Sequence, residues 1–311
     1  HRQVNATGVT DWAGNPLRDI PEAESNALDA PVNVAAVETL DTDINGQIDT
    51  LRVTFSRSID DSTLPAPDAA GIISAEDTAD AGWSINGGYS ELRIDTNGPD
   101  DNDPAGNEIL YFIFSEKTTP DTDATPALAV NIALSNLKSM ANGDLEGTVP
   151  PSTDAANPVL MSAVANFPLD DGDIRQGTTL DLVFSESGLL FSPAKLDATD
   201  LAIDPAGDGG LETGLDGATV SFNTTTNMLQ VVFDTKTSGG DWTENARIDV
   251  DLAQDAIRDA AGHPVVQFGG TGVGIPIEGL SNDDQADTDG DGMPDWWENA
   301  HGLDPNSPAD A

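Results

Sequence analysis

The sequence has no cysteine and few basic or aromatic side chains. Without cysteine, disulfide staples, thiol nucleophiles and cysteine-ligated zinc are excluded. Only 12 lysines and arginines stand against 55 acids, a formal net charge of −43. A surface of that sign repels nucleic-acid phosphates and anionic membranes, so neither is expected as a partner. No run approaches the roughly 18 apolar residues of a membrane-spanning helix, so no membrane insertion is expected. No signal peptide is visible and the chain opens at His1, which reads as a processed product or a cut fragment. There is no G-x-S-x-G elbow, no H-E-x-x-H and no phosphate-cradling glycine loop, and the chain is expected not to be an enzyme. With 55 acids, accidental carboxylate pairs are guaranteed, and nothing singles out two of them as a glycosidase pair.

What is present is length, apolar content and aspartate. The 311 residues leave room for two or three cores, and a hydrophobic content of 38% is too high for a disordered acidic chain. Aspartate outnumbers glutamate about three to one, a bias toward turns and metal loops rather than helices. Self-repulsion at this net charge opposes a compact fold unless bound divalent ions or a salty medium offset it.

Internal repetition organises the chain. The strand-like LRVTFS at 51–56 returns as LDLVFS at 180–185, and LYFIF at 110–114 returns as LQVVF at 229–233. Pro31 and Val32 are echoed by Pro158 and Val159. The turn DWAGNPL at 11–17 reappears as DAAGHPV at 259–265, with a worn copy, SMANGDL, at 139–145. Leu51, Val53 and Phe55 alternate with polar neighbours, as do Leu180, Leu182 and Phe184, and Val220 with Phe222. Val130, Ile132 and Leu134 are matched to Ile248, Val250 and Leu252. Such period-2 runs between Gly, Pro, Asn and Asp clusters predict half-buried antiparallel strands. The stretch 109–114 is apolar on both faces and is expected at the centre of a sheet. About seven short strands per unit predict an all-β chain of tandem immunoglobulin-like β-sandwiches with a small C-terminal calcium-loop tail. The expected divisions are 1–27, the end of a preceding unit; 28–150 and 151–268, two sandwiches; 269–280, a glycine-rich linker; and 281–311, the tail.

The tail holds the plainest chemistry. In DTDGDGMPDWWE at 287–298, acids fall at loop positions 1, 3, 5, 9 and 12, with glycine at 6. Asp287, Asp289 and Asp291 can converge on one ion if the backbone curls at Gly292. The Met293 carbonyl adds a ligand, Asp295 binds directly or through water, and Glu298 closes the site bidentately. Oxygen ligands alone favour calcium over zinc or copper. A second loop, DTDINGQID at 41–49, repeats the first nine positions. It offers Asp41, Asp43, Asn45, the Gln47 carbonyl and Asp49, with Gly46 at the bend. Its twelfth position is Arg52, so a closing carboxylate must come from another loop. The counterpart at 169–176 lacks the spacing, and the acidic stretch 95–103 fits no template. The loop 204–216, with Asp208 and Glu212, is expected to face solvent, and residues 295–301 are expected to form a short helix stopped by Gly302. His263 stands where the first copy has Asn15, and both types tolerate positive φ, so it reads as a turn position. Trp296 and Trp297 read as packing for the tail, with a sugar-stacking platform as the sharper alternative.

The FS-containing strand, the D-x-A-G-N-P-L turn and the D-x-D-G-D-G-M-P-D-W-W-E…G-L-D-P tail resemble bacterial extracellular repeat proteins. Those combine immunoglobulin-like domains of adhesin or surface-layer type with a bacterial thrombospondin type 3 repeat. The resemblance implies a secreted or cell-surface, calcium-binding, non-enzymatic protein acting as a stalk, adhesin or surface-layer element toward an unknown cell-surface or matrix ligand. One alternative is a self-assembling filament or sheath subunit joined through residues 1–20 and the C-terminal tail. A second is the carbohydrate-binding accessory region of a secreted enzyme.

Overall fold

The computed structural model describes residues 31–98, 108–166, 177–192, 201–204, 212–213, 218–223, 228–233, 245–250, 256–267, 274–279, 288 and 302–307. The chain is all-β. It divides into two compact units, one of His1–Leu40, Asp49–Lys117 and Thr125–Asp154, the other of Asp41–Ile48, Thr118–Ala124 and Ala155–Ala311.

The first unit contains strands β1 (Val34–Leu40), β2 (Thr50–Phe55), β3 (Ile72–Ile73), β4 (Trp83–Ile85), β5 (Ser90–Asp95), β6 (Ile109–Ser115), β7 (Leu128–Val130) and β8 (Thr153–Asp154). Six of them form one sheet in the order β3-β5-β6-β2-β1-β8, and β4 pairs with β7. Leu51, Val53 and Phe55 all turn inward, 0–1% exposed, as their alternation requires. Burying each contributes roughly 1.5–3 kcal/mol relative to exposure. β6 lies between β5 and β2, as expected of a strand apolar on both faces. Trp83 of β4 packs tilted against Phe112 of β6, with ring centroids 4.8 Å apart, so the β4–β7 pair lies against the larger sheet. A short helix, Ala75–Asp80, starts where the Ser74 hydroxyl accepts from the Asp77 N–H.

One strand ends earlier than its pattern predicts. Ile132 and Leu134 are 40% and 52% exposed, beyond the end of β7. Asn131 turns the chain there: its side-chain oxygen accepts from Ala133 N–H and its carbonyl from Leu134 N–H.

The second unit contains β9 (Val159–Asn166), β10 (Thr179–Phe184), β11 (Leu190–Phe191), β12 (Ala202–Asp204), β13 (Glu212–Thr213), β14 (Ala218–Asn223), β15 (Met228–Phe233), β16 (Arg247–Asp249), β17 (Ile257–Arg258), β18 (Val266–Gln267) and β19 (Ile275–Glu278). The main path is β13-β12-β16-β19-β9-β10-β15-β14. Leu180, Leu182, Leu229, Val231, Ile203 and Ile248 share its core, with Val220 and Phe222 packed against it. The stretch 269–280, read as a linker, holds β19, which runs parallel to β9 and also pairs with β16. The first unit likewise extends past 150, because β8 runs parallel to β1. Prolines and glycines around both strands mask them in sequence. Asp204, expected in a solvated loop, ends β12 and is buried.

The repeated motifs make the same bonds twice. Ser56 donates its N–H to the Asn33 carbonyl, while its hydroxyl accepts from Asn33 N–H at 3.0 Å. Ser185 does both to Val159, with the hydroxyl bond at 2.9 Å. In the turn copies, Ser139 N–H donates to Gly143 O and the Ser139 hydroxyl accepts from Gly143 N–H. Asp259 N–H donates to His263 O, and its carboxylate accepts from His263 N–H at 2.7 Å. The left-handed residue is the fourth of both described copies, Asn142 at φ 65° and Gly262 at φ 102°, while the copy at 11–17 lies outside the described residues. His263 is therefore not the positive-φ position; its ring Nδ1 sits 2.7 Å from the buried Asp259 carboxylate.

Candidate metal centre

The 41–49 loop joins β1 to β2, whose register closes at Leu40 opposite Thr50. Asp49 N–H donates to Leu40 O at 3.1 Å, pinning the base of the loop. Asp41 then organises the bend, one oxygen accepting from Asn45 N–H at 3.2 Å and the other from Gly46 N–H at 2.7 Å. Asn45 accepts from Gln47 N–H at 2.9 Å and donates its amide to Asp43 at 3.1 Å. Two residues take left-handed φ, Ile44 at 58° and Gly46 at 88°. A β-branched residue there costs on the order of 1–3 kcal/mol, a strain the rest of the loop must hold in place. A Cβ on Gly46 would lie 2.4 Å from Met161 Sδ and 3.2 Å from Ser185 Cβ, so glycine is required on two counts.

This curl gathers Asp41, Asp43 and Asp49. One carboxylate oxygen of each lies within 4.8 Å of the others. Asp41 and Asp49 are half-buried and Asp43 is exposed. Like charges at that spacing repel by about 1 kcal/mol per pair even in water. A hard cation would convert that repulsion into attraction, and three carboxylates with amide and carbonyl oxygens nearby suit calcium. Of the predicted ligands, the structure therefore brings together three carboxylates of one loop. Arg52, at the twelfth position, is turned to Glu38 across the β1–β2 pair at 3.0 Å.

Sequence reasoning missed the residue that braces the loop. Asp121, 8% exposed, accepts from Ile48 N–H at 3.1 Å, and its own N–H donates to Gly46 O at 2.9 Å. It fixes the backbone of the loop and is not among the three clustered carboxylates. Beside it, the Thr122 hydroxyl lies 2.7 Å from the Ser185 hydroxyl and 3.0 Å from Glu186, all buried. The recurrent FS was the one signal for Ser185, and nothing marked Asp121 among so many acids.

The tail ligands Asp287, Asp289, Asp291, Met293, Asp295 and Glu298 lie outside the described residues, as do 295–301, Trp296 and Trp297. Gly302 takes φ 74°. Asp95 accepts from Asn97 N–H at 2.8 Å, a turn bond at the edge of the acidic 95–103 stretch. No protein-family model matches the chain, and no curated protein is significantly similar to it.

Proposed function

We propose that this is a calcium-stabilised, non-enzymatic extracellular protein in which immunoglobulin-like units serve as a stalk, adhesin segment or surface-layer element. The convergence of Asp41, Asp43 and Asp49 in a D-x-D-x-N-G-x-x-D loop carries the reading. Within the described residues β8 runs parallel to β1 and β19 parallel to β9, each beside an antiparallel array. Calcium neutralises clustered aspartates and holds strained loop backbone. By binding the native state alone, it adds stability that grows with ion concentration. Extracellular calcium modules bind at roughly 10⁻⁴–10⁻³ M.

The test is calorimetric titration of calcium together with melting points in millimolar calcium and after chelation, at constant ionic strength. Binding with a raised melting point is the expected result; an unmoved melting point rejects the calcium mechanism. Self-assembly through residues 1–20 and the tail is the second reading, favoured by an uncharged strand edge in the first unit that has no partner among the described residues. The carbohydrate-binding reading draws no support from the described residues, whose exposed large apolar side chains are Ile132, Leu134, Met140, Val183 and Leu190, none aromatic.

A further inference from the structure

The two units finish the same piece of architecture differently. In the second, β16 is paired on both edges, by β12 and by the chain's own β19. In the first, β7 pairs with β4 alone among the described residues. Asn131 N–H bonds Gly82 O and Asn86 N–H bonds Ala127 O, so the odd-numbered residues of this segment face β4. By antiparallel alternation, Leu128 and Val130 point their N–H and C=O groups to the opposite edge. Among the described residues, neither N–H has an acceptor.

The reason lies in the closing segment. Counted back from matched registers, with Thr153 beside Glu38 and Glu278 beside Val164, Pro150 and Pro151 stand where Ile275 and Pro276 stand. Two consecutive prolines offer no N–H, so at these two positions the segment cannot donate to β7; it meets the chain just before that strand through Ser152, whose hydroxyl donates to Pro126 O at 2.6 Å. It leaves a groove of about 470 Å³ between β7 and residues 147–149. Ile132 and Leu134 stand exposed beside it. In a chain where 22% of residues are charged, residues 124–137 have no charge. Exposed edges usually carry charges that block pairing, and this one lacks them.

We propose that the open edge of β7 accepts, as an added strand, residues 1–10 of a second copy of this chain. The proposal rests on the self-assembly reading and names its acceptor. The donor is chosen by charge and by elimination. HRQVNATGVT contains an arginine and no acid, so a body of net charge −43 attracts it, and Val4 and Ala6 alternate with polar neighbours as an added strand requires. The other acid-free runs of ten or more residues are 50–59, 81–90, 124–143, 155–169, 187–196, 217–233 and 260–277. Each contains a strand already paired within its own unit.

Because the chain has no cysteine, single thiols report contacts cleanly. Full-length Ala6→Cys would be mixed with full-length Ala133→Cys, a groove residue, or with Thr219→Cys on the exposed side of β14, and treated with a short bismaleimide. The expected result is dimer cross-linking at least tenfold faster with Ala133→Cys. Adding Val130→Pro to the acceptor, which removes an outward N–H, should lower that rate about tenfold, and Leu134→Glu should lower it several-fold. Excess free peptide of residues 1–10 should suppress it. Larger particles by light scattering without preferential cross-linking would overturn the β7 assignment and leave self-assembly standing. Monomers at every concentration, with no cross-link, would overturn both. A cross-link formed within monomers by an Ala6→Cys, Ala133→Cys double variant would show closure by the same chain and also overturn the proposal.

Discussion

At Ser185 one hydroxyl serves two partners, accepting from Val159 N–H and meeting the Thr122 hydroxyl at 2.7 Å. Its site is buried, whereas the equivalent Ser56 is exposed. Ser185→Ala strands a buried amide and should cost about 1–3 kcal/mol, against about 0.5–1 kcal/mol for Ser56→Ala, read by urea denaturation. Asp68 offers a pH-dependent counterpart. Hydrogen bonds from Ile72 and Ala70 N–H, with a further one from Gly71, outweigh desolvation and hold its carboxyl below the usual aspartate value. A depressed carboxyl contributes stability that is present above its unfolded value and lost as pH falls through the folded one. Carboxyl NMR should show Asp68 titrating at lower pH than free aspartate, and Asp68→Asn should remove that part of the acid-limb dependence. The repeated serine was readable in sequence as a recurrence. Its role was not, because the partner amide lies on another strand.

At the scale of elements, the 41–49 loop is the testable unit. Asp41→Ala removes both a cluster carboxylate and the acceptor for two loop amides, so it should weaken calcium binding at least tenfold, measured by titration calorimetry. Asp121→Asn preserves the three carboxylates and should leave affinity within a few-fold while lowering the melting point in the absence of calcium. Gly46→Ala, at φ 88° and with Met161 and Ser185 in the way, should destabilise by about 1–3 kcal/mol in chemical denaturation. The loop was legible because its ligands are local and their spacing is set by one backbone curl. Its brace was not, since Asp121 is one acid among 55 and is far away in sequence.

For the whole molecule, a net charge of −43 predicts that monovalent salt alone raises the melting point by screening. Calcium at fixed ionic strength should raise it further in the native chain, and less in Asp41→Ala. Differential scanning calorimetry with and without chelator separates the two contributions. If both additions act equally on native and variant chains, the acidic surface is an adaptation to salt alone.

Local pattern by itself determined that the chain is all-β, where most core strands run and which face of each is buried. Alternation with period 2 is a property of neighbouring residues, so Leu51, Val53, Phe55 and their repeats announce themselves. Only the tertiary structure decided where strands stop and what their edges meet. It took β19 out of an apparent linker, put Asp204 in the interior, ended β7 before Ile132 and, among the described residues, gave that strand a partner on one edge. Those outcomes depend on strand partners as far apart in sequence as Ile277 and Ala163, and on whether two prolines arrive where N–H groups are needed.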